Sequence, residues 1–128
     1  MQNLRIPGPT PCPDEILYGS AKPMINHRGP EFQAILSNVT EGLKKVFMTS
    51  NDLYILTASG TGAMEAAIVN CLSPGDKVLA ITVGVFGNRF GQMASAYGAK
   101  VTTLSVPMGM GADMEQIQQA LQKEHGFK

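Results

Sequence analysis

Three short clusters hold residue types and spacings that could do chemistry. The first is Ser59-Gly60-Thr61-Gly62-Ala63-Met64-Glu65, a glycine-bracketed turn rich in hydroxyls between an apolar run and a helix-forming run. Such a turn lets backbone N–H groups approach an anion, and the start of the following helix adds partial positive charge. That field contributes about 0.3–1 kcal/mol, up to about 2 kcal/mol when partly buried, which can orient a phosphate but not alone hold a cofactor tightly. A tight turn with helix-capping hydroxyls is the plainer reading of the same residues. The second cluster is Gly84-Val85-Phe86-Gly87-Asn88-Arg89-Phe90. An aromatic ring at Phe86 could stack on a planar ligand, worth about 0.5–1.5 kcal/mol beyond area burial. It could equally be the first core contact of its helix. The third is His27-Arg28-Gly29-Pro30, where Arg28 suits bidentate recognition of a carboxylate or phosphate but also reads as a surface charge beside a turn.

Other chemistries find little support. A phosphate loop of the Walker type needs a Gly-Lys pair, and none exists in the chain. The dinucleotide fingerprint needs a small residue where Glu65 stands, and an acid after the second strand where Ile81-Thr82-Val83-Gly84 stands. No Ser/His/Asp or Cys/His arrangement can be argued. Cys12 and Cys71 lie far apart with two separated His, so a zinc or haem site has no basis. Cys71 reads as a small buried hydrophobe, and each lysine as a solvated charge.

The elements that must position these clusters follow from periodicity. Pro7-Gly8-Pro9-Thr10-Pro11-Cys12-Pro13 forbids a helix and predicts an extended arm over residues 1–30, with a short helical stretch from Asp14 to Ala21. From Pro30, the residues Phe32, Ile35, Leu36, Val39, Leu43, Val46 and Phe47 mark one helix face, with Glu41 placed to pair with Lys45. Leu53–Ala58 predicts a first strand, Ala63–Leu72 a helix, Lys77–Val83 a second strand and Val101–Val106 a third. Phe86, Phe90, Met93, Ala94 and Tyr97 mark the helix between the last two strands, which Gly98 stops. Asp113 with Gln116 predicts a capping box for a final helix. Near-continuous apolar strands alternating with helices predict an α/β fold, a mainly parallel sheet covered on both faces.

Composition bounds the class. The chain of 128 residues suits one domain, and its 44% hydrophobic content argues against disorder. Basic and acidic residues balance at ten each without a basic block, which argues against nucleic acid as a partner. No apolar run is long enough to span a membrane, and the start carries no secretory pattern, so a cytoplasmic, reducing location is expected. The chain stops right after a helix where a further strand would be expected, so it reads as cut short.

Taken together, the clusters resemble the class V aminotransferases, in particular the alanine/serine–glyoxylate group. The resemblance is carried by Ile6-Pro7-Gly8-Pro9-Thr10, His27-Arg28-Gly29-Pro30-Glu31-Phe32, Ser59 to Glu65, Leu72-Ser73-Pro74-Gly75-Asp76 and Phe86-Gly87-Asn88-Arg89. It implies the N-terminal part of the large domain of the fold type I transferases over residues 31–128, pyridoxal 5′-phosphate as cofactor, and a homodimer at full length. It also implies an amino group moved from a small amino acid, alanine or serine, to a 2-oxo acid, glyoxylate. Thr61, Gly62 and Ala63 would bind the cofactor phosphate, and Phe86 would stack on its ring. Gly8 would pass near the active site, while His27 and Arg28 would lie by its entrance, toward the partner's site.

The same resemblance implies that the chain is about the first third of such an enzyme. The lysine that forms the Schiff base, the Asp on the pyridine nitrogen and the Arg that grips substrate would lie outside it, so the chain alone is expected to be inactive. A truncated copy that at most associates with an intact subunit, and a small nucleotide-binding domain, are the alternatives. In fold type I the first strand sits apart from the second and third. Leu53–Ala58 would therefore lack neighbours, and the isolated chain is expected to be marginal or rearranged.

Overall fold

The computed structural model describes residues 4–128. Two compact units divide the chain, Met1–Ile55 and Leu56–Lys128.

The first unit holds two helices, α1 (Asp14–Ser20) and α2 (Pro30–Phe47). The proline-rich stretch before α1 is free of helix, as its fixed φ angles and missing N–H groups require. Pro30 occupies the first turn of α2, where no N–H is needed, and Met48 ends the helix in a left-handed conformation. The acid that pairs on its surface is Glu41, but with Lys44 at 3.4 Å rather than with Lys45. The apolar stripe of α2 is present as expected, yet no residue of the helix is buried.

The second unit contains α3 (Gly60–Cys71), β1 (Lys77–Thr82), α4 (Val85–Ala96), β2 (Lys100–Ser105) and α5 (Met114–Lys123). β1 and β2 pair in parallel over their full lengths, from Lys77 opposite Lys100 to Thr82 opposite Ser105. α4 is the crossover between them. Gly87 and Gly91, one turn apart, face β1: a Cβ on Gly87 would sit 3.1 Å from the Thr82 Cα, and one on Gly91 3.3 Å from the Ala80 Cβ. Two missing side chains thus let the helix lie close on the strand. Ile68, Ala94 and Ala99 form the buried apolar core, with Leu72, Val78, Met93 and Val101 packed around it. α4 gives way to Gly98, whose φ of 88° turns the chain back toward β2.

Four expectations need correction. Leu53–Ala58 forms no strand. A strand's backbone groups must pair with a neighbour, and no described residue offers this segment an edge. The sheet therefore has two strands where three were expected. Cys71 is exposed rather than buried, because α3 packs only one narrow face and buries Ile68 alone. Asp113 caps α5 by accepting from the Glu115 amide at 2.9 Å, while Gln116 forms no return bond among the described residues, so half of the expected box exists.

Lysines are the fourth case: besides Lys44, two more are paired. Residues 124–128 run back beside β1, on the edge opposite β2, where Phe127 bridges Lys77 and the Lys128 amide donates to the Lys77 carbonyl at 3.0 Å. Lys77 Nζ lies 3.1 Å from Glu124 Oε1, and Lys128 Nζ lies 3.0 Å from Asp76 Oδ2. Among the described residues no helix is long and apolar enough to cross a membrane.

Candidate functional site

The site is built where two helices of the second unit begin. Ser59 caps α3: its extended backbone breaks the preceding chain direction, and its Oγ accepts from the Gly62 amide at 3.4 Å. The Ser59 carbonyl accepts from the Ala63 amide at 3.1 Å, the first bond of the helix. Among the described residues, neither the Gly60 nor the Thr61 amide has a protein acceptor, as a helix start leaves them. Gly62 is required by a close approach. A Cβ there would meet the Ala58 Cβ at 2.8 Å, so the turn closes only with hydrogen at that position.

α4 begins at Val85, directly after β1, which brings Phe86 to the same end of the sheet. Phe86 is 56% exposed and so is not a buried core contact of this unit. It lines a cavity of about 680 Å³ together with Gly60, Thr61, Met64, Gly87 and Phe90. No acidic side chain lines that space. The nearest carboxylate along α3, Glu65, instead accepts a hydrogen bond from the Tyr97 hydroxyl at the far end of α4. That donation to a carboxylate, with burial and the Glu65 charge adding to it, holds the Tyr97 phenol above its usual range.

Of the residues singled out from the sequence, Thr61 and Phe86 meet around this one cavity, with Gly62 and Ala63 in the same first turn of α3. Gly8, His27 and Arg28 belong to the first unit. Gly8 lies in the exposed proline-rich stretch. His27 and Arg28 are exposed in a turn before α2, where the Arg28 amide donates to Asn26 Oδ1 at 3.0 Å and the Gly29 amide to the Asn26 carbonyl at 2.9 Å.

Sequence reasoning gave no role to Arg89. Its Nη1 donates to Thr61 Oγ1 at 3.3 Å, and its guanidinium carbon lies 5.9 Å from the centre of the Phe86 ring. The available signal was spacing: residues three apart on a helix share a face, so Phe86 at the start of α4 places Arg89 one turn along beside it. Phe90, read from periodicity as a core residue, also borders the cavity.

A parallel strand–helix–strand layer with this turn at its edge is the N-terminal part of the large domain of the fold type I pyridoxal-phosphate-dependent transferases. The crystal structure of an alanine–glyoxylate aminotransferase from Nostoc sp. matches it with a TM-score of 0.83 at 35% identity, over 96% of this chain and 35% of that one. The chain belongs to the class V aminotransferases, whose family model, "Aminotransferase class-V", matches residues 15–126. It is 43% identical to an uncharacterized aminotransferase of Methanocaldococcus jannaschii, over 98% of this chain and 32% of the relative. It is 39% identical to an L-aspartate–glyoxylate aminotransferase of Paracoccus denitrificans, over 96% of this chain and 31% of that protein. The chain thus spans about a third of the length of the curated relatives it matches.

Proposed function

We propose that this chain holds the phosphate and one ring face of pyridoxal 5′-phosphate in an aminotransferase that acts as a homodimer. That enzyme moves an amino group from a small amino acid, alanine or serine, to glyoxylate. The observation that carries this reading is the single cavity bordered by Gly60, Thr61 and Phe86. Glyoxylate in the names of both the Nostoc and the Paracoccus relatives supports it as acceptor. Alanine in the first name supports a small donor, and aspartate in the second is the competing one.

The residues present fit a phosphorylated, planar ligand. Two amides without acceptors, the Thr61 hydroxyl and the helix start give a dianion hydrogen bonds and a favourable field. The Gly62 amide, held by Ser59 only at 3.4 Å, can exchange that long bond for a phosphate oxygen, whereas the Ala63 amide, expected from the resemblance to bind the phosphate as well, donates to the Ser59 carbonyl at 3.1 Å and fixes the turn. Phe86 offers its face to a ring, and Met64 and Phe90 supply apolar walls. When bound, pyridoxal 5′-phosphate supplies an electron sink for the amino acid's Cα, and the residues here orient it rather than react. Gly8, His27 and Arg28 are assigned by the family resemblance alone to the surroundings of an active-site entrance, His27 and Arg28 toward the partner's site.

Calorimetric titration with pyridoxamine 5′-phosphate and with pyridoxamine tests the reading, since neither forms a Schiff base with surface lysines. The phosphate ester is expected to bind at least about tenfold more tightly, and Phe86→Ala to weaken it about threefold to tenfold. Equal affinity for the two compounds would overturn the phosphate site.

A further inference from the structure

We propose that Arg89 is a positioning residue of this site, one that makes it selective for the doubly ionised form of a phosphate ester. The proposal rests on the phosphate reading of the α3 turn. Two contacts carry it, and they join the site's two halves. The Arg89 guanidinium donates to Thr61 Oγ1 at 3.3 Å and stands 5.9 Å from the centre of the Phe86 ring.

A hydroxyl has one proton to give and lone pairs to receive. Because Thr61 Oγ1 receives from a cation, its own proton is released from any bond to that neighbour and is polarised toward an outside acceptor. Arg89 thereby converts an ambivalent hydroxyl into a donor. That is the polarity a phosphate oxygen requires. The same guanidinium stands 5.9 Å from the centre of the Phe86 ring, within reach of a cation–π attraction that ties the two residues to one corner of the site.

Arg89 is also unneutralised. Among the described residues the ion pairs are Lys44–Glu41, Lys77–Glu124 and Lys128–Asp76, and none involves it. Glu65, one turn along α3 from Thr61, accepts instead from the Tyr97 hydroxyl. A cation without a carboxylate partner beside a helix start makes the second negative charge of a phosphate count. The dianion therefore gains more from Arg89 than the monoanion does.

The test is titration of the full chain and of Arg89→Gln, Arg89→Lys and Thr61→Val with pyridoxamine 5′-phosphate from about pH 5 to about pH 8, across the second ionisation of a phosphate ester near pH 6. Unaltered protein is expected to bind more tightly as the ester becomes a dianion. Arg89→Gln is expected to lose about tenfold in affinity at pH 8 and most of that pH dependence, and Arg89→Lys to recover part of both. Thr61→Val is expected to cost less in the Arg89→Gln background than in the unaltered protein, since part of the effect of Arg89 runs through that hydroxyl. Thermal unfolding of each variant separates misfolding from lost binding, and the Arg89→Lys protein retains the charge if the glutamine variant is unstable.

An unchanged pH profile in Arg89→Gln, or full additivity with Thr61→Val, would overturn the role of Arg89 while leaving the phosphate site standing. Failure of the unaltered protein to prefer the phosphate ester would overturn both.

Discussion

α2 and the segment Leu53–Ala58 are both apolar, and neither lies in a buried core, yet only one is regular. α2 runs eighteen residues with Ile35, Leu36, Val39, Val46 and Phe47 all exposed. Leu53–Ala58 is irregular, with Tyr54, Ile55 and Leu56 exposed. The difference lies in where backbone hydrogen bonds close. A helix satisfies its own N–H and C=O groups four residues away, so it can form before anything packs on it. A strand is half of a ladder, and β1, of similar composition, is regular because β2 pairs with it along its whole length. Local pattern is thus enough for helix, whereas strand is a property of two segments at once.

The sharpest way to break this comparison is to put the same charge into a paired and an unpaired element. Ala94, 1% exposed between α4 and the sheet, has no space or partner for a carboxylate. Ala94→Asp is expected to destabilise the second unit by about 3 kcal/mol or more. Hydrogen exchange should then show Val78–Ile81 losing protection, while Leu53–Ala58, already unpaired, exchanges as before. Val39→Asp, on the exposed stripe of α2, is expected to change stability by about 0.5 kcal/mol or less. A large loss from Val39→Asp would mean that α2 is packed after all.

A second test concerns what holds residues 124–128 beside β1. The Ser73 amide, then Lys128, holds the Asp76 carboxyl below its usual range. The Thr102 hydroxyl, then Lys77, does the same for Glu124. Both groups stay ionised in the folded unit where an unfolded chain would take up protons. Their contribution is therefore complete above the ordinary carboxylate range and is lost as pH falls through the lowered values. The unfolding midpoint of the second unit is expected to be flat from about pH 7 to about pH 5 and to drop below about pH 4. Asp76→Asn with Glu124→Gln should flatten that drop, and an unchanged drop would mean that other groups cause it.

How much was legible in the sequence follows the same division. The helices at Pro30, Ala63 and Phe86 could be read from spacing, caps and glycine stops, because those signals are local, although α3 already begins at Gly60, inside the residues read as a turn. β1 and β2 could be read because each is short, apolar and joined by one crossover helix. Leu53–Ala58 was misread because an apolar run signals a strand only where a second segment pairs with it, and no described residue does. At the site, Thr61 and Phe86 were legible as a turn and an aromatic residue at one sheet edge. Arg89 was not, because its meaning depends on α3 and α4 starting side by side, where Arg89 meets Thr61, a contact invisible to a linear reading.

The smallest effect expected is the one that checks that alignment. Tyr97 closes the far end of the α3–α4 pair by donating to Glu65, which raises its phenol above the usual range. A raised acid keeps its proton where the unfolded chain releases it, so its contribution is complete below the ordinary tyrosine range and is lost as pH rises through the folded value. The chain has three tyrosines and no tryptophan, so phenolate absorbance resolves them directly. One of the three is expected to titrate late, and Glu65→Gln should return it to the usual range with little change in stability at neutral pH. If all three titrate together in the unaltered chain, then α3 and α4 are not locked at Glu65. Thr61 and Phe86 would then share a cavity without a fixed separation, and a fixed separation is what distinguishes a ligand site from two helices that happen to begin near each other.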